Sequence, residues 1–180
     1  LCFLGVHSIR IFADDWRSTQ IGRHGALKWK ATYALVSAIG LALVVWGYGM
    51  ARAAAVDLWT PPTATRHVAA LLMLLSFVLL TAAYVPGSRL KAKVRHPMVL
   101  GVKVWALAHL LANGRVADVV LFGSFLLWAV LSYRAARQRD RAAGNRPLPL
   151  HSGRDVITAF VGISAWIIFT LWLHGPLLGV

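Results

Sequence analysis

The chain has 180 residues, 58% of them hydrophobic and only 14% charged, and its mean hydropathy is +0.65. An ordinary soluble domain carries about 25% charged residues, so a water-soluble fold of this composition would expose large apolar patches and aggregate. The net charge of +13 does not mark a nucleic-acid partner, because the basic residues cluster between long apolar runs, as they do in loops that flank membrane-spanning helices.

A helix that crosses the hydrocarbon layer needs roughly 20 mostly apolar residues. On that measure the sequence reads as one all-α domain over 1–180, a polytopic transmembrane bundle of about six spans. The first, 1–12, is read as a span truncated at its N-terminus. The second is 32–51, and the third, 67–85, stops at Pro86-Gly87. The fourth, 97–113, is opened by Pro97 at a favourable first-turn position and closed by Asn113-Gly114. The fifth is 116–133, and the sixth, 155–173, is closed by Gly175-Pro176.

The connections alternate in charge. Loops 13–31, 86–96 and 134–154 hold fourteen of the nineteen basic residues, and the other two hold Arg52, Arg66 and Arg115. That alternation predicts a multi-pass protein of a bacterial inner membrane, with the three basic loops cytoplasmic and both termini outside. Loop 134–154 is expected to be a connector attracted to anionic lipid.

Ionisable groups inside spans are costly, which makes them functional candidates. Seven histidines are present, and Cys2 is the one cysteine, so neither an internal disulfide nor a cysteine metal cluster is expected. His24 and His151 fall in loops and read as solvated. His67, His96 and His174 fall at span ends, where an imidazole sits in the interface at little cost. His7 and His109 lie within spans. Gly101, Trp105, His109 and Asn113 recur every four residues and share a face, which suits a flat macrocycle as well as it suits a hydrogen bond to another helix. Lys103 can reach the basic side or pair with an anionic cofactor group. His7 and Arg10 share a face of the first span. They can hold iron and a propionate together, or hydrogen-bond a neighbouring helix and reach the headgroups. All six acidic residues are aspartates placed in loops or at span ends, which argues against a carboxylate relay inside the layer.

Phe3-Leu4-Gly5-Val6-His7-Ser8-Ile9-Arg10 and "HPMVLGVKVWALAHLLANG" at 96–114, with "VVWGYG" at 44–49 and "AAYVPG" at 82–87, resemble the NnrU family of bacterial membrane proteins. The resemblance covers essentially the whole chain. It implies an association with denitrification and nitric oxide metabolism, and a relation to zeta-carotene isomerase, a membrane enzyme that uses haem b. It further implies that His7 and His109 are axial haem ligands and that His96 matches another retained histidine. Where the isomerase has a cysteine three residues before its second ligand, this chain has Ala106. Val94-Arg95-His96-Pro97-Met98-Val99-Leu100-Gly101 also resembles the S-adenosylmethionine-binding motif of membrane methyltransferases, without the acidic partner motif.

The expectation is therefore a haem-b-binding membrane protein with a redox or nitric-oxide-related role. His7 and His109 are the iron ligands, with His67, His96 and His174 as alternates. Arg10, Gly101, Lys103 and Trp105 line the cofactor. A carotenoid isomerase, a methyltransferase and a non-catalytic subunit of a larger membrane complex are the competing readings. Expected partners are membrane lipid and a lipophilic or small gaseous ligand.

Overall fold

Long apolar runs rich in alanine and leucine favour helix, and every regular element among the described residues is helical. The computed structural model describes residues 2–54, 56–144 and 153–175. The helices are α1 (Cys2–Phe12), α2 (Asp14–His24), α3 (Ala26–Ala53), α4 (Thr63–Tyr84), α5 (Arg89–Val94), α6 (Pro97–Ala112), α7 (Val116–Ala142) and α8 (Arg154–Ile168). The last runs on into a π-helical turn, Phe169–Leu173. His151 and Pro176, named above, lie outside the described residues.

Four helices are long and apolar enough to cross a membrane: α3, α4, α7, and α8 with its π-helical turn. The runs read as first and fourth spans are apolar but shorter, 11 residues in α1 and 16 in α6. At about 1.5 Å per residue, α6 measures roughly 24 Å against a layer of about 30 Å. Its end is fixed by Asn113, whose Nδ2 donates to the His109 carbonyl at 2.9 Å.

The basic stretches are not loops. Residues 13–31 are mostly α2 and the first turns of α3, 86–96 contains α5, and α7 runs on past residue 133 to Ala142. The sequence reading equated a fall in hydropathy with the end of a helix, yet Arg, Lys, Gln and Ala are strong helix formers. In α2, Asp14 and Asp15 sit in the first turn and Arg23 and His24 in the last, complementing the helix dipole. Basic side chains also finish α4: Lys91 Nζ donates to the Ala83 carbonyl at 2.6 Å, and Arg154 donates to that of Pro86.

The core is built from small residues. Of the buried apolar side chains among the described residues, all but Leu79, Pro97 and Phe122 are alanines. Large apolar side chains face outward instead, with Trp46 67%, Leu35 63% and Val120 63% exposed. This is the packing of helices in lipid, where close backbone approach replaces hydrophobic expulsion as the source of association. A Cβ on Gly40 would stand 2.8 Å from Phe3 N, and one on Gly162 2.8 Å from Val78 Cα. These glycines let α3 approach α1 and α8 approach α4.

Helix α4 packs chiefly on α6 and α8, α6 also packs on α7, and α1 is wedged between α3 and α7. At the end away from the basic cluster, the connections α3–α4 and α6–α7 clasp each other. The Leu58 N–H donates to the Gly114 carbonyl at 2.8 Å and Val116 N–H to that of Val56 at 3.0 Å. Arg115 pairs with Asp57 at 3.4 Å.

Candidate functional site

His7 stands on α1 where that helix meets α3 and α7. Its Nδ1 lies 2.7 Å from the Phe3 carbonyl. A carbonyl oxygen can only accept, so Nδ1 carries the proton and Nε2 is the nitrogen left for a ligand. The ring packs on Phe3 at 4.2 Å, Tyr33 at 5.2 Å and Trp128 at 6.0 Å. His7 lines a cavity of about 380 Å³ between α1, α2 and α3, together with Arg10, Arg17, Lys30, Trp29 and Tyr33.

Three buried side-chain polar atoms among the described residues lack a hydrogen-bond partner: Asp14 Oδ1, Ser37 Oγ and Trp128 Nε1. All three surround α1. Ser37 lies between Tyr33, which meets His7, and Gly40, which meets Phe3, so it faces the same helix. Trp128 approaches from α7. Unpaired buried groups are rare enough to need a reason. Of the three, Trp128 packs on His7 and Asp14 stands beside Arg10 and Arg17.

His109 repeats the local geometry on α6. Its Nδ1 donates to the Trp105 carbonyl at 3.0 Å, again leaving Nε2 as the ligating nitrogen. The ring lies against Phe122 at 4.5 Å and Trp105 at 5.2 Å. The two histidines do not meet. His109 sits beside Phe122 and His7 beside Trp128, six residues further along α7 and therefore about 9 Å away in level. The route from ring to ring is occupied by Phe3, Phe125 and Trp105, successive centroids 4.2–5.8 Å apart.

The other expected site residues scatter. Gly101 does not face open space: a Cβ there would stand 2.9 Å from Leu80 Cγ, so it serves the α4–α6 crossing. The same crossing is bonded by Ser76 Oγ, which donates to the Gly101 carbonyl at 2.8 Å. Trp105 joins the aromatic cluster with Phe122 and Phe125, and Lys103 is half-buried on α6. His67 is exposed on α4. His174 packs on Phe169 at 5.7 Å.

A model of the family described as NnrU protein matches residues 1–180. The chain belongs to the NnrU family. No curated protein and no solved structure matches it.

Two carboxylates in this NnrU-family chain escaped sequence reasoning. Asp118, read as a span-end residue, is 3% exposed. It accepts from the Tyr48 hydroxyl and, at 3.3 Å, from the Arg115 N–H that opens α7. Asp140, read as a loop residue, lies inside α7 and accepts from His96 Nε2 at 2.9 Å, with Arg137 3.3 Å away. His96 is thereby committed to joining the start of α6 to the far part of α7. Because both partners are partly exposed, with side-chain exposures of 27% and 22%, His96→Ala should cost only about 0.5–1 kcal/mol. Thermal melts of the wild type and His96→Ala test this, and a loss well beyond about 1 kcal/mol would contradict so exposed a contact. The missed signal was one of pairing, since each acid needs a partner distant in sequence.

Proposed function

We propose that this NnrU-family chain is a six-crossing inner-membrane protein that binds haem b at His7, with its basic helix ends in the cytoplasm and a redox or nitric-oxide-related role. The reading rests on one observation. His7 is the imidazole that lines a cavity, its ligating nitrogen is set by the Phe3 carbonyl, and Arg10, Arg17 and Lys30 share that cavity. A nitrogen donor beside cations fits an iron macrocycle with acidic side chains. The orphaned Trp128 Nε1 and Ser37 Oγ add donors without partners. A clamp of one iron between His7 and His109 does not fit this packing, because the rings lie at different levels with aromatic side chains between them.

Within this reading the chain's residues have distinct tasks. The Phe3 carbonyl orients His7, as outer partners of metal-bound imidazoles do. Arg10 and Arg17 hold negative charge at the mouth, and Trp128 and Tyr33 wall the ring from water. His7 would hold the haem, which would supply iron for redox chemistry or for binding a small ligand.

The test is an optical spectrum of protein purified from haem-replete membranes, oxidised and then reduced. A Soret band is expected in the wild type and in His109→Ala, and its loss in His7→Ala. A wild type without the band, or a band that survives His7→Ala, would overturn the assignment. The first of those results would favour an accessory subunit.

A further inference from the structure

The lining of the cavity between α1, α2 and α3 carries Arg10, Arg17 and Lys30 and no acidic residue, and the acid nearest to its arginines is Asp14. Three guanidinium groups surround Asp14: Arg10 Nε at 3.9 Å, Arg17 Nη1 at 3.7 Å and Arg139 Nε at 4.0 Å. Charge-assisted hydrogen bonds of this type are about 2.7–2.9 Å long. None of these contacts is that short, and Asp14 Oδ1 is buried without any hydrogen bond. Arg139 is turned elsewhere, donating to the Arg10 carbonyl at 2.9 Å. Arg10 and Arg17 line the cavity with Lys30, so Asp14 is a single, poorly bonded anion among several cations.

Beside these cations, His7 and Tyr33, the cavity is lined by apolar side chains. Val6, Ile9 and Ile21 line it, and Trp29 forms one wall. Trp29 packs edge-on against Trp16 at 5.8 Å, and Trp16 is half exposed. Paired amphipathic rings of this kind belong at the boundary between hydrocarbon and headgroups. Cations beside apolar walls at that boundary are held best by an anion that brings its own apolar body.

We propose that this cavity binds an anionic amphiphile, a carboxylate or phosphate headgroup on an apolar body. Arg10, Arg17 and Lys30 take the headgroup, and Asp14 is an internal anion that competes for the same arginines. The site shares its cavity with the haem reading but needs neither iron nor His7 ligation.

The experiment uses the full chain, stripped of haem, in neutral detergent. Phosphatidylglycerol and phosphatidylcholine are compared by native mass spectrometry. Iron-free protoporphyrin IX and its dimethyl ester are compared by fluorescence, and inorganic phosphate is the free anion. At least one acidic amphiphile should bind roughly tenfold more tightly than its neutral counterpart. The double variant Arg10→Gln/Arg17→Gln should abolish that preference. Asp14→Asn should strengthen binding, a gain that a damaged fold would not produce, and Arg134→Gln, exposed on α7, should leave it unchanged. Preference for phosphatidylglycerol assigns the headgroup to a phospholipid, and preference for protoporphyrin IX assigns it to a macrocycle carboxylate. Equal binding of acidic and neutral forms, binding of inorganic phosphate alone, or a preference that survives the double variant would overturn the inference. A missing Soret band with a positive result here removes only the haem reading. A Soret band with flat results here removes only the anion site.

Discussion

Gly114→Ala is expected to be among the most damaging single-methyl changes in the molecule. Gly114 follows the cap of α6 and lies under the α3–α4 connection, where its carbonyl accepts from Leu58 and Trp59. A Cβ there would overlap the Trp59 carbonyl, with Pro61 Cδ only 3.3 Å away. Both obstacles belong to backbone or to a proline ring, so no rotamer change makes room. The clasp must open, losing the Leu58 and Val116 hydrogen bonds and the Asp57–Arg115 pair together. The expected loss is about 3 kcal/mol, at the upper end of overpacking costs. Reversible unfolding in mixed detergent measures it. Gly123→Ala on α7, with nothing within 4 Å of the added atom, is the control and should be neutral or stabilising by up to about 1 kcal/mol. Equal effects from the two substitutions would refute the clasp.

Asp118→Ala should rank close behind. The carboxylate serves two groups that cannot both find another acceptor: the Tyr48 hydroxyl on α3 and the Arg115 N–H at the start of α7. Removing it leaves both without that acceptor at a partly buried site. A buried donor left unpaired costs about 1–3 kcal/mol, and a lost helix cap about 1 kcal/mol, so a total near 3 kcal/mol is expected. The pair can be isolated by a double-mutant cycle with Tyr48→Phe. The two losses should fall short of additivity by about 1 kcal/mol or more. Strict additivity would mean that Tyr48 and Asp118 act independently.

What could be read from the sequence follows from what hydropathy measures. Helices α3, α4, α7 and α8 stand out because each holds an apolar run near the required length. Their ends were not legible where charged helix formers continue the helix, as in 134–142 and in α2. His7 and His109 were legible because an imidazole inside an apolar run is costly wherever it points. Which residues they face was not, since two helices can share a hydropathy profile and differ by several residues in level. Lys30 and Arg17 were hidden as loop charges, although α2 carries Arg17 and the start of α3 carries Lys30 to the His7 cavity. Gly101 shows what register alone leaves open: it falls on the His109 face by spacing, and a Cβ there would meet Leu80.

The wedge formed by α1 has a consequence for how the molecule assembles. Helix α3 leans mainly on α1 and only slightly on α7, and Gly40 is its one buried residue. The quartet α4, α6, α7 and α8 holds together without it. The seam that contains His7 therefore joins a self-sufficient body to an outlying arm. Whatever small molecule settles into that seam acts as mortar, and its arrival should register along the whole of α3 as slower amide exchange.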